Sequence, residues 1–142
     1  MGYVLVVDDN LYNVKLLEAR LQIAGYAVET AFNGEEALAA VGRALPDIVL
    51  LDVMMPGMDG YEVCRRIRAD AATADLPVVF VSALDKPSDR AAGMAAGGDD
   101  FITKPVEDGA LFPAIERLTA PGARAGAASR ALIATSSSRT AA

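Results

Sequence analysis

Five short apolar runs punctuate this chain, and the segments between them carry the spacing of amphipathic helices. Runs of about four to eight β-branched and apolar residues bounded by turn signals read as strands buried on both faces, the pattern of a parallel sheet covered by helices. The runs lie at residues 3–7, 26–31, 47–52, 78–82 and 100–103. Helices are expected from Asn10 to about 24, over 35–43, from Asp59 to about 69, from Pro87-Ser88 to about 96, and over about 107–118. Asn10 and Asp59 are cap-type residues, Asn33-Gly34 opens the second helix, and Pro87 suits a first helical turn. Gly25 and Gly97-Gly98 supply stops. Val14, Leu17 and Leu21 recur on one face of the first helix. Alternating β/α units with short connections predict an α/β fold with a doubly wound, five-stranded parallel sheet.

The residues at the ends of the runs are as informative as the runs themselves. Asp8-Asp9 come after the first, Asp52 ends the third, and Lys104-Pro105 come after the last. In an open α/β sheet the ligand site lies beyond the carboxyl ends of the strands. Three carboxylates and one ammonium are therefore expected in a single crevice. The acids repel unless a cation sits among them, which suggests Mg²⁺. A lysine beside them suggests an anionic substrate group, most simply a phosphoryl.

Four fragments carry a resemblance: Val7-Asp8-Asp9-Asn10, the loop from Leu51-Asp52 through Met54-Met55-Pro56-Gly57-Met58-Asp59-Gly60, Val81-Ser82-Ala83, and Thr103-Lys104-Pro105. In this order and at strand ends they resemble the response-regulator receiver domains, the CheY-like family, over roughly residues 3–118. The resemblance implies a flavodoxin-like (βα)5 sheet of order 2-1-3-4-5. It implies that Asp52 is the phosphoacceptor and that Asp8, Asp9, Asp52 and the Met54 backbone carbonyl bind Mg²⁺. Lys104 would pair with Asp52 and later with the phosphoryl group, and Pro105 would form the cis peptide bond of the family. Ser82 would donate to a phosphoryl oxygen. Phe101 is either a switching aromatic or a plain core residue, and it lacks the hydroxyl of the usual tyrosine. Met54 and Leu84 occupy positions that tune dephosphorylation, and neither can hydrogen-bond an attacking water. The Met-Met-Pro-Gly loop and the stretch 84–90 resemble the first receiver of PleD-type proteins. Gly97-Gly98-Asp99-Asp100-Phe101 is similar to a diguanylate cyclase signature, yet it runs straight into Lys104-Pro105, so cyclase activity is not expected.

Composition narrows the partners. Hydrophobic residues make up 53% of the 142, enough for a core in one domain. The first 118 residues hold ten basic and nineteen acidic side chains, a net of −9, which disfavours direct nucleic-acid binding. There is no histidine, so a phosphohistidine must come from another protein, a sensor histidine kinase or a histidine phosphotransfer protein. No apolar run is long enough to span a membrane, and no signal peptide pattern is present. With the single Cys64 read as a core thiol, a cytoplasmic protein is expected. Residues 119–142 are rich in Ala, Ser, Thr, Gly and Arg without acids or aromatics, which reads as a low-complexity, disordered tail.

The leading expectation is a phosphorelay response regulator that switches binding to a downstream protein target. The surface formed by residues 87–118 would change, with a homodimer through the fourth helix, fifth strand and fifth helix as one outcome. The second reading is the amino-terminal receiver of a larger response regulator with a separate output domain. A Mg²⁺-dependent phosphotransfer or phosphatase enzyme is weaker, because Asp52-Val53-Met54 lacks a second acid two residues on. A dinucleotide binder would need a glycine-rich phosphate loop after the first strand, which is absent.

Overall fold

The computed structural model describes residues 2–121. Its elements alternate as β1 (Val4–Val7), α1 (Leu11–Ile23), β2 (Val28–Ala31), α2 (Gly34–Arg43), β3 (Ile48–Leu51), α3 (Gly60–Ala69), β4 (Val78–Ser82), α4 (Pro87–Ala95), β5 (Asp100–Thr103) and α5 (Asp108–Thr119). Three helix starts are fixed by short polar side chains that satisfy otherwise unpaired amides. Asn10 accepts from Asn13 N at 3.0 Å, Asn33 from Glu36 N at 2.8 Å, and Asp59 from Glu62 N at 2.9 Å. Glu36 reaches back to Phe32 N, so the start of α2 is bonded in both directions. Gly97, with φ of +107°, turns the chain out of α4 in a conformation that favours glycine.

The five strands form one parallel sheet of order β2-β1-β3-β4-β5. Side chains alternate across it. Leu5, Val7, Val49, Leu51, Val78 and Phe80 face a core completed by Ala37, Ala40, Val63, Cys64, Ile67 and Ala96 of α2, α3 and the end of α4. Val4, Val6, Ile48, Leu50, Val79 and Val81 face a second core, completed by Leu17 and Leu21 of α1 and Leu111, Ala114 and Ile115 of α5. The sheet is therefore wound on both faces, with two helices on one and three on the other. Val7 is paired with Leu51, and Ser82 with Thr103, so the strand ends that carry the acids and the lysine lie side by side. The ladder continues just past the strands: Asp52 N donates to Val7 O at 2.9 Å and Lys104 N to Ser82 O at 2.8 Å.

The expected sheet order and all ten elements are present, with β4 and β5 at their expected bounds and β1, β2 and β3 shorter than the apolar runs suggest. β2 begins at Val28 rather than 26, because Tyr26 N bonds Leu21 O in the turn that closes α1. Tyr3 lies outside β1 and its hydroxyl bonds the Ala40 and Ala44 carbonyls at the end of α2. The last helix runs one residue beyond the expected boundary, to Thr119, whose hydroxyl bonds Ile115 O. The disordered tail expected for 119–142 falls, from residue 122, outside the described residues.

At the sheet end opposite the acids, Arg68 ties three segments together. Its guanidinium donates to the carbonyls of Ala74, Leu76 and Gly97 and to Asp99, which also accepts from Val78 N. The Arg68 and Asp99 side chains are only 16% and 5% exposed, so solvent screens this pair weakly. Removing one partner of such a pair costs far more than removing an exposed one. Arg68→Ala should lower the unfolding free energy by about 3 kcal/mol in urea denaturation. A loss of a few tenths would show that the surrounding loops hold without it.

Candidate functional site

Among the described residues, the polar ones buried as whole residues are Asp8, Asp52 and Ser82, and all three stand at the same end of the sheet. Asp8 comes just after β1, Asp52 just after β3, and Ser82 closes β4. Exposed Asp9 joins them: Asp8, Asp9 and Asp52 each offer a carboxylate oxygen within 4.8 Å of the others. Two unit charges at that spacing repel by about 3–4 kcal/mol at an effective dielectric of about 20. One ammonium is present to offset this. Lys104 Nζ lies 2.7 Å from Asp8 and 3.2 Å from Asp52. Three carboxylates and one ammonium leave two negative charges, which matches a divalent cation with oxygen ligands. The donor set therefore fits a metal.

The expected pairing of Lys104 with Asp52 is present, but the shorter bond goes to Asp8. Two acids compete for one ammonium, and the other Asp52 oxygen faces Met54 N at 3.4 Å. Asp8 is further fixed by Asn10 N at 2.9 Å. Burial pushes the Asp52 carboxyl above its usual range, and Asp8 adds to this, against the opposing pull of Lys104. Burial alone would depress Lys104, but its hydrogen bond to Asp8 and the charges of both acids outweigh that and raise it. Lys104 is thus firmly cationic, and Asp52 is held at a desolvation cost.

The remaining expected residues take different places. Ser82 is fully buried, and its Oγ accepts from Leu84 N at 3.2 Å, so that bond leaves its proton uncommitted. Phe101 is 3% exposed and points inward against Phe80, with the Arg90 guanidinium 5.4 Å above its ring. The Lys104–Pro105 peptide bond is cis. Met54 is 60% exposed beside Asp52, while Leu84 is half-buried against the α2–α4 core rather than open over the site. Gly60 does more than shape the loop. A Cβ there would collide with the Asp52 carbonyl oxygen, so its absence lets α3 start against the acid's own backbone. The charged residues around α4 and β5 have contacts within the chain: Asp99 with Arg68, Asp100 with Arg117, and Arg90 over Phe101. In the cyclase-like signature, Gly97 forms the α4–β5 turn, Asp99 pairs with Arg68 and Asp100 with Arg117 of α5.

A family model described as the response regulator receiver domain matches residues 4–116. The chain belongs to the response-regulator receiver family. Response regulator PleD of Caulobacter vibrioides is 53% identical over 116 residues, covering 82% of this chain and 26% of PleD. The chain thus spans about a quarter of that relative's length. Chemotaxis protein CheY4 of Vibrio cholerae superposes with a TM-score of 0.77 at 33% identity, covering 82% of this chain and 98% of CheY4. The receiver domain of a signal transduction histidine kinase from Syntrophus aciditrophicus gives 0.77 at 35% identity, over 84% of this chain and 90% of that one. A receiver is a signalling module of a two-component system, and membership implies a histidine kinase or phosphotransfer partner. Among the described residues, no helix is long and apolar enough to cross a membrane.

Sequence reading missed the contacts that hold the lysine loop from outside the site. Arg20 of α1 bonds Val106 O, a contact 86 residues apart that no local pattern signals. The raised carboxyl of Asp52 yields a signed pH effect. The folded chain binds that proton more tightly than the unfolded one, so stability is favoured below the ordinary carboxylate pKa and lost as pH rises through the folded value. In metal-free buffer, Asp52→Asn should raise the urea midpoint at pH 7, and the gain should shrink as the pH falls through the raised folded value and be gone below about 4. A gain independent of pH would point to packing instead.

Proposed function

We propose that this receiver accepts a phosphoryl group on Asp52 from a phosphohistidine of a partner protein and changes its protein contacts in response. The observation that carries the reading is the coincidence of the buried polar residues: an acid, a second acid and a hydroxyl, with one ammonium at 2.7 and 3.2 Å. An Asp52 oxygen forms the new bond to phosphorus as the P–N bond breaks, and that electron pair leaves on the donor's imidazole. Fixed by backbone bonds at the end of β3, Asp52 presents its carboxylate from one direction. Lys104 supplies positive charge to the phosphoryl oxygens, and Ser82 offers its proton to one of them.

Asp8, Asp9 and Asp52, with the Met54 carbonyl, are the residues that would hold Mg²⁺. When bound, Mg²⁺ supplies neutralisation of the acids and of the charge on the transferring group. Engagement of Ser82 would withdraw its oxygen from Leu84 N and bias the β4–α4 loop, and with it α4, β5 and α5 around Phe101. The output is a protein contact on that surface, a homodimer or a downstream target, and the net charge of the first 118 residues disfavours nucleic acid. Its setting is proposed to be the cytoplasm, in keeping with the sparing use of cysteine, one in 142 residues. Because the match covers 26% of PleD, a second reading is the receiver part of a larger response regulator whose output domain acts elsewhere.

Acetyl phosphate with Mg²⁺ should add one phosphoryl group by intact-protein mass spectrometry, and Asp52→Asn should abolish it. Labelling that survives that substitution would move the acceptor elsewhere. Asp9→Ala should remove most of the Mg²⁺ affinity in a metal titration.

Hydrolysis of the acyl phosphate needs a water aligned with phosphorus, and neither Met54 nor Leu84 can orient one. The phosphorylated form should last hours rather than seconds. Met54→Asn combined with Leu84→Glu should shorten that lifetime by roughly tenfold, about 1.4 kcal/mol of barrier. An unchanged lifetime in the double variant would show that water access is not what sets the rate.

A further inference from the structure

We propose that Arg20, on α1, is a positioning residue for phosphoryl transfer, because it clasps the loop that carries Lys104. The inference rests on the reading of Asp52 as phosphoacceptor and concerns how its lysine is held. Beyond Lys104 the chain passes through Pro105, Val106 and Glu107 before α5 begins at Asp108. This loop runs along an open cavity of about 210 Å³ between α1 and the strand ends, lined by Leu16, Leu17, Val81, Pro105 and Val106 among others. On that side the loop is held only in part by packing, through the half-buried Val106 against the α1–α5 core.

Polar bonds supplement that partial packing. The Arg20 guanidinium donates to the Val106 carbonyl at 2.9 Å and also bonds the Asp108 carboxylate. The planar fork of arginine can serve two acceptors at once, which the ammonium of lysine does less well. Asp108 is 70% exposed, so its ion pair is screened and contributes little by itself. The bond to Val106 O is the firmer one, since the Arg20 side chain is only 26% exposed. On the strand side, Lys104 N is tied to Ser82 O at 2.8 Å. The loop is thus tied on the strand side by Ser82 and on the α1 side by Arg20, and Lys104 must hold Nζ between two acids from that base. Loosening the α1 side spreads the positions of Nζ, and a misplaced charge stabilises the transferring group less. Asp8, Asp9 and Asp52 hang from β1 and β3 and do not depend on this clasp.

Arg20→Met keeps an apolar stem beside the cavity and deletes both bonds. With acetyl phosphate and saturating Mg²⁺, its initial rate of Asp52 labelling should fall roughly three- to tenfold. Its Mg²⁺ affinity, titrated separately, should stay within about twofold, as expected for ligands held on other elements. In metal-free protein, amide hydrogen exchange across residues 104–108 should quicken. In a Lys104→Ala background, Arg20→Met should cause no further loss of rate, because its effect passes through that lysine. Arg20→Lys, which retains charge and stem, should give a smaller loss of the same kind and serves if the methionine variant does not unfold cooperatively. An unchanged rate, a parallel fall in Mg²⁺ affinity, or independent losses that multiply in the double variant would each overturn the inference. Failure to label the wild-type protein would remove the phosphoacceptor reading and this inference together, whereas a labelled wild type with an unaffected Arg20→Met would remove this inference alone.

Discussion

The pairing of one ammonium with two buried carboxylates is the interaction on which the site depends. Lys104 stands between Asp8 and Asp52, and without it two nearby charges would be buried against each other. Neutralisation stays incomplete, since Asp9 adds a third charge at the rim. A site left with excess negative charge attracts a cation, and the cation in turn makes the approach of an anionic phosphoryl group favourable. The same residues therefore create an electrostatic problem in the free chain and a binding site for the groups that relieve it.

The two hydrophobic layers make that problem tolerable. Strands whose residues are almost all buried, such as Ile48–Leu51 and Val78–Ser82, contribute apolar area on both faces of the sheet. Their hydrogen-bond ladders extend to Asp52 and Lys104, so the acid and the base inherit positions set by the core. A desolvated Asp52 costs some stability, and the surrounding layers offset it.

The fold was legible because its signals are local and repeated. Runs such as Val78–Ser82, caps such as Asn10 and Asp59, and the glycine stops lie within a few residues of the elements they define. The acids and Lys104 were legible because parallel strands bring their ends together whatever the loops do. The rest depended on distances that the sequence does not encode in any window. Nothing near Arg68 announces that it meets carbonyls at 74, 76 and 97, and nothing near Arg20 announces Val106. The strand limits shifted where a side chain or turn captured the backbone, as at Tyr26. The preference of Lys104 for Asp8 is a competition between two acids, which motif spacing cannot weigh.

The suspension of Asp52 from a central backbone ladder has a consequence for how such a protein can vary. Groups tied to central strands move only when the sheet itself opens, so their geometry is as durable as the whole fold. Met54 and Leu84 lie outside those ladders and can change without disturbing the sheet. Chemistry and timing are thereby written in separate parts of the chain. Descendants of this sequence can alter how long a signal persists while the atoms that receive it stay where they are.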